Sequence, residues 1–171
     1  MKPIKSILFL SLLLFFVNLQ ADTPYFIDFK YVLNESVAGK KAQKDLKNEL
    51  EKGLNQIKSK QKKISEDEKK IIQQKKLLAP EEYKKKVKEL RSQVSKLQTE
   101  RQKLLNSVAQ KRTKAKNELL KSINPLIEQY MKEKNIKMVI DKRSLLVANK
   151  ELDITKEITN LLNGKLKSIK Y

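Results

Sequence analysis

The 171-residue chain contains no cysteine, histidine or tryptophan, and only three glycines and four prolines. Without thiols or imidazoles it can form no disulfide, zinc finger, haem attachment, thiol redox pair, or Ser-His or Cys-His nucleophile. Gly39, Gly53 and Gly164 are too scattered to build a phosphate-cradling loop. The commonest enzyme classes and nucleotide-driven work are disfavoured together. Two acids, Asp28 and Asp141, fall in segments that read as strands, but no companion base or metal cluster accompanies them, and turn or strand-edge roles are commoner for such residues. No catalytic residue, metal ligand or cofactor is assigned.

What the chain has in quantity is positive charge. It carries 39 Lys and Arg against 20 Asp and Glu, a net +19, with 35% charged and only 6% aromatic residues. Composition alone suits a disordered or coiled-coil polycation.

Patterning along the chain changes that reading. Lys2 and Lys5 precede an apolar run from Ile7 to Val17 broken only by Ser11, and Ala21 and Asp22 follow. A basic start, a short apolar stretch and a small residue are the layout of a secretory signal peptide over residues 1–21, with cleavage between Ala21 and Asp22. The alternative is a retained membrane anchor, but an 11-residue run makes a helix of about 17 Å against a hydrocarbon core of about 30 Å. Removing the leader takes two lysines with it and leaves +17 in a protein expected to be exported from the cytoplasm.

Residues 22–39 begin with Tyr25-Phe26-Ile27-Asp28-Phe29, aromatic and β-branched, which predicts a strand. A turn and helix start are expected between Asn34 and Gly39. From Lys40 to Ile123 the composition favours helix. Apolar positions run Leu46, Leu50, Leu54, Ile57, Ile64, Ile71 and Leu78, then Tyr83, Val87, Leu90, Val94, Leu97, Leu104, Val108, Ala115 and Leu119. Spacings of three, four and seven give each helix a seam wide enough for one partner. Pro80 divides the runs, and Glu81 and Glu82 suit the first turn of a new helix, so a hairpin with its tip near 78–81 is expected. One continuous rod pairing with other molecules is the rival; the matched lengths of the two seams favour the hairpin.

Residues 124–171 change character again. Asn124-Pro125 is a candidate kink, Ile136–Ile140 reads as a strand, Asp141–Ser144 as a turn and Leu145–Ala148 as a further strand. Asp153 is placed to cap a last helix bearing Ile154, Ile158, Leu161 and Leu162, which Gly164 would end. The fold class is thus α+β: a helical hairpin on a small β-body drawn from both ends of the chain. Such a body lies near the lower limit of self-sufficiency, which predicts completion by further copies through Phe26, Ile27, Phe29, Met138, Val139, Ile140 and Leu146. A monomer whose strands pack only on the arm bases is the alternative.

The succession Phe26–Phe29, Glu35–Ala42, charged hairpin, Asn135–Asp141 and Leu152–Ile158 resembles the Skp/OmpH family of periplasmic chaperones across the mature sequence. The resemblance implies a jellyfish-like homotrimer whose three arms surround a cavity. It further implies ATP-independent holding of unfolded outer-membrane β-barrel proteins, and for some members a lipopolysaccharide-binding patch is proposed.

The arm suits such work. Residues 40–123 hold 26 Lys and Arg and 11 Asp and Glu, so +15 of the charge lies there, and three arms would carry about +45 around a shared space. Charge is densest at Lys63, Lys69, Lys70, Lys75 and Lys76 on one side of the tip and Lys84, Lys85, Lys86 and Lys88 on the other. Any single one of these is a solvated side chain; the expectation concerns their summed field. Ile72 and Leu77 fall off the seven-residue register and are candidates to face a client. Two other functions fit parts of the sequence: a basic coiled-coil envelope protein binding anionic surfaces or lipid, and a nucleic-acid-binding polycation. The last has no recognition motif or stacking aromatics and conflicts with export, so no specific nucleic acid is expected.

Overall fold

The computed structural model describes residues 23–171. The leader and its Ala21/Asp22 cleavage point lie outside the described residues. Strand β1 (Tyr25–Ile27) leads into helix α1 (Phe29–Glu35), the long helices α2 (Val37–Gln74) and α3 (Pro80–Lys134), strand β2 (Val139–Asp141), 3₁₀ turns at Lys142–Ser144 and Lys150–Leu152, and helix α4 (Thr155–Lys165).

The first strand is shorter than its composition suggests. Asp28 ends it by accepting the Tyr31 amide on Oδ1 at 2.9 Å, which starts α1 with Phe29 in its first turn. A side-chain partner for a helix amide outweighs the strand preference of the aromatic residues that follow. The break after α1 is made by Ser36, fully buried, with ψ 151°. Its amide donates to Val32 O at 3.1 Å, and its Oγ accepts the Gly39 amide at 3.2 Å. Helix α2 therefore begins at Val37, three residues before the expected arm boundary. Gly39 is required by proximity: a Cβ there would lie 2.0 Å from the Leu33 carbonyl oxygen.

The expected hairpin forms. Helix α2 runs for 38 residues and α3 for 55, about 57 and 82 Å at 1.5 Å per residue. The turn between them lies at Lys75–Ala79. Leu77 and Leu78 amides donate to Gln74 O at 2.9 and 3.1 Å, and Ala79 takes the extended ψ of 145° that a following proline demands. Pro125 does not end or divide the second arm. Helix α3 continues through it to Lys134, because Ile123, Leu126 and Ile127 on either side are buried in the body core and hold the helix there. Position 123 is consequently not a structural boundary. Asn135, in the left-handed conformation at φ 54°, closes α3, with the Ile136 amide returning to Met131 O at 2.9 Å.

β1 and β2 pair in parallel, Tyr25 opposite Val139 and Ile27 opposite Asp141. Parallel neighbours need a crossover, and here the whole hairpin is that crossover. β1's other side is taken by Asp153–Ile154: Phe26 bridges Asp153, and the Ile154 amide donates to Phe26 O at 3.0 Å. This occupancy corrects the expectation of a strand at Leu145–Ala148. That segment has no ladder partner among the described residues, and Leu146 and Val147 are 103% and 91% exposed.

The final helix also departs in detail. Its N-cap by backbone geometry is Ile154, not Asp153. Asp153 still serves the helix start, its Oδ1 accepting the Thr155 amide at 2.9 Å and bonding the Thr155 hydroxyl, which in turn accepts the Asp28 amide at 2.9 Å. Gly164 lies inside α4, which ends one residue later. The core of the body is Ile27, Val32, Ala38, Leu119, Ile123, Leu126, Ile127, Ile154, Ile158 and Leu162, contributed by β1 and all four helices.

Candidate interaction surface of the arm and body

The arm is an antiparallel pair in fixed register. Glu49 accepts from Lys111 at 2.6 Å, Gly53 lies beneath Leu104, and Lys60 reaches Glu100 at 2.6 Å. Ile64 and Leu97 line one shared cleft, and Ile71 and Leu90 another. These pairs are centred near Pro80, the first residue of α3.

The seam is thin. Near the body Ala42, Leu46, Ala115 and Leu119 are buried, but further out Ile57, Ile64, Ile71, Leu90 and Leu97 are only half-buried, while Leu54 and Val94 are 36% and 42% exposed. Two helices offer each other a single wall, so side chains at the seam's edge keep one flank in water. Clefts of about 260 and 270 Å³ remain between the helices, walled by Lys, Asp, Glu and Gln around the central isoleucines.

The nine lysines singled out from sequence divide between the two helices and the turn. Lys63, Lys69 and Lys70 lie on the last turns of α2, Lys75 and Lys76 in the turn, and Lys84, Lys85, Lys86 and Lys88 on the first turns of α3. Lys86 is half-buried against the outer cleft, and the others are exposed. Among the described residues only Lys70 of the nine has a carboxylate within ion-pair reach, Asp67 at 4.0 Å. Lys75 lies 6.0 Å from the centre of the Tyr83 ring, an electrostatic contact across the tip turn. Glu66, Asp67, Glu68, Glu81, Glu82 and Glu89 share this end of the arm, so residues 63–89 keep a net +3 and the basic field belongs to the arm as a whole, +15 over residues 40–123.

Beside them are the two off-register apolar residues. Ile72 is 61% exposed and Leu77 85%, while Ile71 and Leu78 turn into the seam. The far end of the arm thus combines uncovered apolar surface with a basic surround.

The body residues expected to meet other copies do not form one surface. Ile27 is fully buried and Phe26 nearly so within the chain's own core region; Phe29, Val139 and Ile140 are half-buried. Met138 and Leu146 are exposed. Leu145–Ala148 instead walls a cleft of about 670 Å³ with Phe26, Asp153, Glu157 and the lysines 142, 150 and 156. Val147 belongs to this uncovered apolar surface and was not selected from sequence, since reading 145–148 as a strand hid its exposure.

Both acids considered for chemistry are engaged structurally. Asp28 caps α1 and has Lys142 Nζ 3.5 Å from Oδ2. The Arg143 guanidinium binds Asp141 at 2.7 Å and its amide at 2.9 Å, holding that carboxyl below the usual carboxylate range. Among the described residues no group of His, Cys, Asp and Glu is arranged to hold a metal, and no helix is long and apolar enough to cross a membrane.

Comparison with known proteins finds a family and solved structures that this chain resembles. The family described as outer membrane protein (OmpH-like) matches residues 25–162, from the first strand into the last helix. A crystal structure from Caulobacter crescentus CB15, described as a candidate outer membrane chaperone (OmpH-like), superposes with a TM-score of 0.81 at 17% identity, covering 87% of this chain and 89% of that one. At that identity it establishes likeness of fold. No curated protein matches the sequence.

Proposed function

The chain belongs to the OmpH-like outer membrane protein family, and from that premise we propose that it is a non-enzymatic, ATP-independent periplasmic holdase for unfolded outer-membrane β-barrel proteins. The observation that carries the reading is the far end of the arm, where the exposed Ile72 and Leu77 lie among nine lysines, of which only Lys70 is ion-paired among the described residues. An unfolded β-barrel chain exposes alternating apolar residues, aggregates readily and commonly carries net negative charge. A basic field draws such a chain in, and scattered apolar contacts hold it weakly without demanding one folded shape. Several arms on one body would enclose it, which is the role of a homotrimer in this proposal. Exposed Met138, Leu146 and Val147 are the apolar surface that further copies would cover. Anionic lipid or lipopolysaccharide is a secondary contact for the same basic tip.

The test is dilution of a urea-unfolded β-barrel protein into buffer containing the protein without its leader and no nucleotide, followed by light scattering, with sedimentation of the same mixture. Suppression near one trimer per client is expected. Continued aggregation at several-fold excess would overturn the holdase reading, and dimers or open-ended rods would favour an envelope spacer.

A further inference from the structure

The family match ends at Leu162, inside α4, yet the chain continues and turns back along the arm. Lys165 Nζ reaches Gln129 Oε1 on α3 at 3.3 Å, and Leu166 and Ile169 pack half-buried against the body core. The final tyrosine then reaches α2. Tyr171 Oη lies 3.4 Å from the Ala42 carbonyl oxygen, and burial, aided by the nearby charges of Asp45 and Glu49, raises the phenol above its ordinary pKa. Glu49 is also half of the cross-arm pair with Lys111, the ion pair between the arm helices closest to the body.

The two arm helices are rooted differently. Helix α3 passes unbroken from tip to body, so its direction is fixed by its own backbone. Helix α2 starts at the Ser36 break, a joint between two helices. Its first amide, Val37 N–H, is held by Asn163 Oδ1 of α4 at 2.8 Å, and Tyr171 then meets it a further turn along. The α4 region therefore touches α2 on both sides of Gly39, where α1 and α2 approach most closely.

We propose that residues 166–171 are a strap that ties the first turns of α2 to the body and limits how far the root of the arm opens. The strap makes the arm's direction depend on contacts that can be released without unfolding the body. Local opening of this kind is read by amide exchange, which resolves segments of different stability within one chain.

The experiment compares hydrogen–deuterium exchange of the full mature protein with its Tyr171→Ala and Tyr171→Phe variants. In Tyr171→Ala the amides of residues 38–50 are expected to exchange about threefold faster, while residues 60–70 of the arm and β1 in the body keep their rates. Tyr171→Phe, which keeps the ring and loses the hydroxyl, is expected to show a smaller increase confined to the same segment. Unchanged exchange at 38–50 in Tyr171→Ala would overturn the strap. So would a uniform acceleration across all segments, which would mark Tyr171 as a contributor to global stability alone.

Discussion

Leu104 on the returning arm helix lies so close over Gly53 on the outgoing one that a Cβ at position 53 would come within 2.5 Å of its Cδ2. The glycine is a notch in a helix whose other glycine, Gly39, lies at its root, and the leucine fills it. Such a notch pins the register of two helices whose seam is mostly half-exposed.

A double-mutant cycle measures that relationship. With Leu104→Ala in place, Gly53→Ala should stabilise the arm by about 1 kcal/mol, the helix-propensity difference between the two residues. With Leu104 present the gain should shrink or vanish, because the leucine must rotate away from the new methyl. Urea unfolding of the four proteins gives the coupling, and additive effects would contradict the notch.

Gly39 and Gly164 should respond to alanine with opposite sign. At Gly39 the added Cβ meets the Leu33 carbonyl at 2.0 Å, backbone that can yield only by separating α1 from α2, so a loss of about 1–3 kcal/mol is expected. At Gly164, within α4, nothing lies within 4 Å of the added methyl, and a gain of up to about 1 kcal/mol should follow. Thermal melts of the two variants against the parent distinguish them.

Acid should weaken the body partly through Asp141. Its hydrogen bonds from Arg143 lower its folded pKa, so its contribution is present above the unfolded carboxylate value of about 3.9 and is lost as pH falls through the lower folded value. Asp141→Asn removes that dependence. The variant's melting temperature should fall less steeply than the parent's between about pH 4 and pH 2; parallel curves would mean that the Arg143 contact adds nothing to folding.

Tip variants separate holding from folding. Ile72→Ser and Leu77→Ser remove exposed apolar surface without touching the core, so both should melt like the parent. Each should weaken capture of an unfolded β-barrel protein by roughly fivefold, about 1 kcal/mol of apolar contact. Binding titrations at low and high salt also expose the lysine contribution, which should decline as salt rises. Equal affinity for parent and both variants would show that clients do not use these side chains.

Much of the arm was legible because its signals are local. Seven-residue spacing, Pro80 with Glu81 and Glu82, and the rarity of glycine specify two long helices and a turn without reference to the rest of the chain. Asp28 shows the limit: its strand-like neighbours were visible, but its carboxylate proved to be the cap that turns them into helix. Pro125 shows another, since burial of Ile123, Leu126 and Ile127 overrides a local tendency to break.

The sequence by itself determined an arm with a basic, partly apolar end, because helical periodicity and charge are properties of short windows. Tertiary structure alone decided that β1 lies between β2 and Asp153–Ile154, that Leu145–Ala148 has no ladder partner among the described residues, and that Tyr171 returns to Ala42. Those outcomes depend on which edge or face is already occupied by residues more than 100 positions away, and no local preference encodes that competition.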